Sequence, residues 1–245
     1  MDKNSKKIKE EFGFDSELEA VKEYSLLNQE FMSFNYPLIS DEVINRLNIK
    51  KACLLDIGTG LGSLACEFAK RLEGSKVYGI DISSQMLDQA RKNSQEKNLA
   101  DMRFLLSDVH NLEFEDAFFD LAVSFGVLHH LKDVRRSFFE IKRVLKEGGS
   151  AFIYDLRKDA PPEVVSEIVQ QMPPLHQKAF LESIKEALTN SFIEDILKDM
   201  DLREYSLARP SYSRQAILKN KDSLRQSKLL GRRFNEILVE VYFKK

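Results

Sequence analysis

Tryptophan is absent from the 245 residues, and cysteine occurs only at Cys53 and Cys66. Both cysteines sit in apolar stretches, KACLLDIG and SLACEFA, so they read as small buried hydrophobes rather than a disulfide framework or a zinc site, and no metal is expected. No apolar run approaches the ~18 uninterrupted residues of a membrane span. The opening MDKNSKKIKEEFGFD has lysines without an apolar stretch behind them, so no signal peptide is expected and the cytoplasm is the expected compartment. One-sided charge is missing too: 37 Lys+Arg against 39 Asp+Glu leave a net charge of -2, which removes any global pull toward nucleic acid or membrane. Internal repeats and low-complexity tracts are not evident. What is present is an ordinary globular composition, 43% hydrophobic and 31% charged, at a length that suits one enlarged domain better than two.

The chain divides by rhythm. Residues 1–14 are rich in Lys and Glu; Asp15 or Ser16 can then cap a helix with Leu18, Val21, Leu26 and Leu27 on its apolar positions, and a second helix is expected near Asp41–Leu47, after Pro37. From Lys51 the pattern becomes short apolar runs alternating with amphipathic stretches: ACLLDIG, a helix from Ser63, KVYGID, a helix from Ser84, MRFLLSD, FDLAVSFGV, a helix from Asp133, and SAFIYDL. Strands alternating with helices of this length imply βαβ units and a parallel sheet covered on both faces. Glu147-Gly148-Gly149 reads as the turn that ends one helix and opens the fifth strand. Beyond it, Pro161-Pro162 and Pro173-Pro174 punctuate a helical insert, SFIEDILKDM reads as a helix capped by Ser191, and NEILVEVYF as a closing strand. The expected organisation is a helical cap over 1–50, a core over 51–157, and the insert, a basic segment and the closing strand of the same domain over 158–245.

The first strand ends in Asp56-Ile57-Gly58-Thr59-Gly60-Leu61-Gly62, directly before a helix. Such a loop lets the backbone approach a ligand closely at the carboxyl end of a strand. Its spacing is G-x-G-x-G, and Ser63 stands where the dinucleotide fingerprint wants its last small residue. Asp81 closes the second strand, about 20 residues further on, where a carboxylate can accept both hydroxyl protons of a ribose. Asp108 closes the third. Three carboxylates at successive strand ends suit a ligand with an amine, a ribose and an adenine amino group better than a phosphate-bearing dinucleotide.

Taken in order, LLDIGTGLG, GIDISSQML, LLSDVHNLEF, FDLAVSFGVLHHLKD and LKEGG resemble the consecutive motifs of the class I S-adenosylmethionine-dependent methyltransferases, over roughly Lys51–Asp155. The resemblance implies an α/β, Rossmann-like sheet of seven mostly parallel strands, the last antiparallel, with helices on both faces. It implies S-adenosylmethionine as the cofactor. Gly58 and Gly60, with Thr59 between them, would contact its methionine part, and Asp56 would support the ammonium group. Asp81 would hold the ribose, Ile82 and Met86 would pack on the adenine, Asp108 and the Val109 N–H would face its polar edge, and Ser124 would offer its carbonyl to the ammonium.

The acceptor is less legible. After the fourth strand comes Ser124-Phe125-Gly126-Val127 rather than the Asn/Asp-Pro-Pro-aromatic turn of amine methylators, and neither cysteine is placed to attack a cytosine ring. His129 and His130 follow that strand, and His129 is the candidate general base, set against packing and helix-capping roles. Arg157 lies past the fifth strand and could fork onto an anionic substrate, or pair with Asp155 or Asp159. Phe34 and Tyr36 could close over the cofactor or staple helices, and Phe118 and Phe119 are expected in the core. A small-molecule acceptor is the leading reading. Two others stay open: an RNA or peptide methyltransferase using the basic 209–233 segment (Arg209, Arg214, Lys219, Lys221, Arg225, Lys228, Arg232, Arg233), and a cofactor-binding module without catalysis. Oligomeric state leaves no mark on the sequence.

Overall fold

In the computed structural model, which describes residues 17–28, 32–99, 101–220 and 233–245, the strands β1 (Cys53–Ile57), β2 (Lys76–Asp81), β3 (Met102–Leu106), β4 (Phe119–Phe125) and β5 (Leu145–Leu156) are all parallel. β6 (Glu204–Ala208) and β7 (Leu238–Lys244) complete a seven-stranded sheet in the order β3-β2-β1-β4-β5-β7-β6, with β7 antiparallel to both neighbours. The long connection from Ala208 leaves the last pairing regular, from Glu204↔Lys244 to Ala208↔Glu240.

Alternation along the strands splits the core into two layers. Leu55, Ala122, Ile153 and Val241 face α5 (Val134–Val144) and α8 (Asn190–Asp199), whereas Leu54, Val123, Phe152 and Tyr242 face α2 (Asn35–Leu47), α3 (Ser63–Arg71) and α4 (Ser84–Glu96). Phe119 is fully buried, and Phe118 and Phe114 pack with it around Tyr78. A third apolar cluster lies where α6 (Pro162–Gln171) meets Phe34 and Leu38 of the N-terminal segment, Phe234 and Ile237 ahead of β7, and Leu238 at its start. The remaining helices are α1 (Glu17–Leu27), α7 (Pro174–Glu186) and α9 (Arg214–Lys219). Among the described residues no helix is long and apolar enough to cross a membrane.

Several boundaries differ from the expected ones. α2 begins at Asn35 instead of Asp41, because a proline at its third position removes only an N–H that has no partner in the first turn. β5 starts at Leu145, before the glycine turn: residues 146–149 form an irregularity between the Phe119↔Leu145 and Leu121↔Ser150 pairings, and Gly148 (φ +77°) supplies the left-handed residue it needs. Thr189, not Ser191, caps α8, accepting from the Phe192 N–H at 3.3 Å. The first part of NEILVEVYF is a 3₁₀ turn, Phe234–Ile237, and the strand follows it. Asp15 and Ser16 lie outside the described residues.

Candidate cofactor and acceptor site

Strand order reverses between β1 and β4, and open α/β sheets bind ligands in the crevice at such a switch point. A cavity of about 540 Å³ opens there, at the carboxyl ends of the parallel strands. Its wall takes in Gly58 and Gly60 after β1, Asp81 and Ile82 after β2, Ser107, Asp108 and Val109 after β3, and Gly126, Val127 and His129 after β4.

The glycine loop is built by close approach. A Cβ on Gly58 would stand 2.4 Å from a Val127 methyl, and one on Gly62 3.0 Å from Ala90 of α4, with both residues at positive φ. Gly79, inside β2, went unremarked in the sequence, yet a Cβ there would lie 2.7 Å from Phe104 and 2.8 Å from the Thr59 hydroxyl, so only glycine lets the loop settle on the strand. Asp81 closes the loop from beneath. Its two carboxylate oxygens accept from the Gly60 and Ser83 N–H groups, each at 2.9 Å, and the residue lines the cavity.

Asp108 is half exposed and accepts through Oδ1 from both the backbone and the ring of His110. His110 Nε2 in turn accepts from the Asp133 N–H at 3.2 Å, which makes Nδ1 the protonated nitrogen. Burial alone would raise the Asp108 carboxyl, but the His110 bonds hold it below the ordinary value. Ile82, Met86 and Val109 supply the apolar wall beside it. Ser107, also missed by the sequence reading although adjacent to Asp108, brings a buried hydroxyl with no hydrogen-bond partner among the described residues.

Asp56 and Thr59 stand behind the loop instead of on the main wall. Asp56 Oδ2 accepts from the Thr59 hydroxyl at 2.6 Å and the Ala65 N–H at 3.2 Å, and both residues line an adjoining polar recess with Asn28, Tyr36 and Ser63. Ser124 is buried, its hydroxyl donating to the Ile57 carbonyl at 3.0 Å and tying β4 to β1. Burial pushes the Asp56 carboxyl up to about 7 against the lowering effect of its two hydrogen bonds. The native state therefore keeps a proton that the unfolded chain, near 3.8, has released, so stability falls as pH rises between those values. Thermal melts of the unliganded chain should show the wild type losing on the order of a few kcal/mol between about pH 4 and about pH 8, and Asp56→Asn losing much less. Parallel curves for the two proteins would show that Asp56 is ionised throughout.

The other half of the cavity is apolar. Leu27, Met32, Phe125, Leu156, Met172, Phe180, Phe234 and Leu238 line it, drawn from the end of α1 and the segment after it, the residue that follows α6, α7, the 3₁₀ turn before β7, and the ends of β4, β5 and β7. All four histidines of the chain, His110, His129, His130 and His176, reach the cavity wall. The His129 and His130 rings lie 3.9 Å apart, and His176 Nε2 is 3.8 Å from Glu23 of α1. Neither His129 nor His130 caps α5. Asp133 does, accepting from the Arg136 N–H at 3.0 Å.

Asp155 is buried and bonds His129, not Arg157. Arg157 is instead a two-pronged partner of Asp159, at 2.8 and 2.6 Å, and is not on the cavity wall, where the cations are Lys132 and Arg136. Phe34 packs edge-on to Phe234 and Tyr36 to Phe125, so Phe34 works as a staple while Tyr36 also borders the polar recess. In the basic segment, Lys219 pairs with the buried Asp41 at 2.5 Å and Arg233 with Glu167 and Glu236, so these charges are spent within the fold. Lys221, Arg225, Lys228 and Arg232 lie outside the described residues.

Residues 55–153 match the model of the methyltransferase domain. A 2-phytyl-1,4-naphtoquinone methyltransferase of Nostoc punctiforme is 31% identical over 173 residues, 69% of this chain and 68% of that one. A demethylmenaquinone methyltransferase of Thermotoga maritima is 38% identical over 116 residues, 47% of each chain, so the match spans about half of that enzyme. Among solved structures, the plantazolicin methyltransferase BpumL, in complex with a triazolic desmethylPZN analog and SAH, shares the fold at a TM-score of 0.76 and 17% identity, covering 100% of this chain and 99% of its own. The chain belongs to the class I S-adenosylmethionine-dependent methyltransferases. The site fits that cofactor: two carboxylates at successive strand ends, the orphaned Ser107 hydroxyl and the apolar strip of Ile82, Met86 and Val109 match a ribose and a purine in one half of the cavity.

Proposed function

We propose that the chain transfers a methyl group from S-adenosylmethionine to a hydrophobic small molecule carrying a conjugated ring with a hydroxyl group, in the cytoplasm. The observation that carries this reading is one cavity whose wall joins the carboxylates Asp81 and Asp108 to an extensive apolar lining, with His129 among its residues. The relatives named for 2-phytyl-1,4-naphtoquinone and for demethylmenaquinone support the same acceptor class.

In this reading Asp81 binds the ribose, Asp108, Ser107 and the Val109 N–H face the purine edge, and Ile82 and Met86 pack on its faces. Gly58, Thr59, Gly60 and the Ser124 carbonyl surround the methionine part, whose ammonium would draw Asp56 to its ionised form. When bound, the cofactor supplies a sulfonium methyl group that needs no further activation. The protein's work is then alignment and exclusion of water, a contribution of roughly 7–11 kcal/mol when the geometry is right. Residues 51–157 hold the cofactor, and the segments 1–50 and 158–245 shape the acceptor half.

The test is incubation of the purified chain with methyl-labelled S-adenosylmethionine and, separately, 2-prenyl-1,4-naphthohydroquinone, a mixture of peptides and total RNA. Label is expected in the solvent-extractable quinol fraction. Label in RNA or peptide alone would replace this reading with a macromolecular one.

A further inference from the structure

Asp155 stands at the end of β5, one residue beyond the Phe125↔Tyr154 pairing that holds β4 and β5 side by side, and the 3₁₀ turn Leu128–His130 follows β4 directly. This register lays the carboxylate under His129. Oδ1 meets His129 Nδ1 at 2.6 Å, and Oδ2 accepts from the His129 backbone N–H at 3.3 Å, so one carboxylate grips both the ring and the main chain of the same residue. The Leu156 N–H adds a third bond at 2.6 Å. Asp155 is only 2% exposed, and a buried carboxylate is costly unless paired, so a turn that needed only an anchor would be served at less cost by a neutral side chain.

Resting on the methyl-transfer reading above, we infer that Asp155 is a positioning residue: it fixes His129 as the Nδ1–H tautomer and thereby lets the ring take a proton at Nε2 from the acceptor hydroxyl. The acceptor class follows, because such a base is useful only to a molecule that must lose a proton. Removal of that proton puts electron density on the acceptor oxygen and on the ring carbon ortho to it, which, if it takes the methyl group, afterwards loses its own hydrogen as a proton while the oxygen regains one. One of these atoms forms the bond to the methyl carbon, the carbon–sulfur bond breaks, and its electron pair stays on the departing sulfur. Either way one proton leaves per methyl gained. The imidazolium that results lies against the Asp155 carboxylate, which His129 holds below its ordinary pKa despite burial. Besides Asp155 from β5, His130 on the same turn faces His129 at 3.9 Å between rings, and His176 from α7 lines the same cavity.

The experiment uses the full chain, labelled with ¹⁵N-histidine and loaded with S-adenosylhomocysteine. The His129 signals are identified by their loss in His129→Gln. They are expected to show a protonated Nδ1, and in Asp155→Asn the ring should titrate at lower pH, because the carboxylate that favours the imidazolium is gone. On 2-prenyl-1,4-naphthohydroquinone, Asp155→Asn should lower kcat about 10- to 100-fold and move the acid limb of its pH profile downward, with KM and the Kd of S-adenosylhomocysteine kept. A ring protonated at Nε2, or an Asn variant with the wild-type pH midpoint and kcat, would overturn the inference. If the Asn variant does not fold, the wild-type tautomer decides alone. Failure of the wild type to methylate any probe would defeat the functional reading instead, and the tautomer would still report on Asp155.

Discussion

Replacing His129 with alanine is expected to lower kcat about 10²–10⁴-fold while leaving the affinity for S-adenosylhomocysteine nearly unchanged. The split follows from position. His129 sits on the turn after β4 and lines the cavity, while Gly58, Gly60, Asp81 and Asp108, the proposed cofactor contacts, come from β1, β2, β3 and the loops after them. A proton acceptor acts in the transition state and contributes little to ground-state binding, so its loss appears in kcat and in kcat/KM alike. Stopped assays with labelled cofactor, paired with calorimetry on the same preparation, separate the two quantities. Full turnover by His129→Ala on a good acceptor would reduce His129 to a packing residue. A parallel loss of cofactor affinity would instead mean that the turn has collapsed onto Gly58 through Val127.

Asp81→Ala should raise the Kd of S-adenosylhomocysteine about 10- to 100-fold, because it strips charge-assisted hydrogen bonds worth ~1.5–3 kcal/mol. Two effects combine here. The carboxylate is the candidate ribose ligand, and it also satisfies the Gly60 and Ser83 N–H groups, so its removal loosens the loop that must be preformed for binding. Asp81→Asn separates them: one amide oxygen can still accept from the loop, but the charge is gone. The affinity should therefore fall less for Asn than for Ala, with the melting temperature of the Asn variant nearer the wild type. Calorimetry well below the melting temperature gives both values, and an unchanged Kd in Asp81→Ala would take this residue out of the site.

The parts of the protein that were legible beforehand share a physical cause. In a parallel sheet every strand delivers its carboxyl end to the same edge, so Asp81 and Asp108 reach one cavity wall, and the alternation of strands and helices announces that sheet. The glycine loop was legible for a similar reason, since tight turns and positive φ restrict a handful of positions locally. Where burial or distant pairing decides, the sequence left the placement open. Asp56 looks like a wall residue in sequence, but the turn through Gly58 draws Thr59 and the start of α3 over its carboxylate. Arg157 had two aspartates within reach, and its choice of Asp159 depends on the burial of Asp155, a property of the assembled sheet.

By itself, then, the sequence determined the sheet, the cofactor edge and the enzyme family, because local geometry and strand direction are written residue by residue. The apolar part of the cavity, the proposed acceptor chamber, was decided only in three dimensions. Its walls come from Leu27 and Met32 at one end of the chain, Met172 and Phe180 in the insert, and Phe234 and Leu238 near the other end, apolar residues that any core could have claimed. The pairing of His129 with Asp155, 26 residues apart, likewise waits on β4 lying beside β5 in one register. Which apolar side chains face a ligand and which face each other is a matter of shape, and shape is fixed only once the insert, the N-terminal helices and the closing turn have packed together over the open end of the sheet.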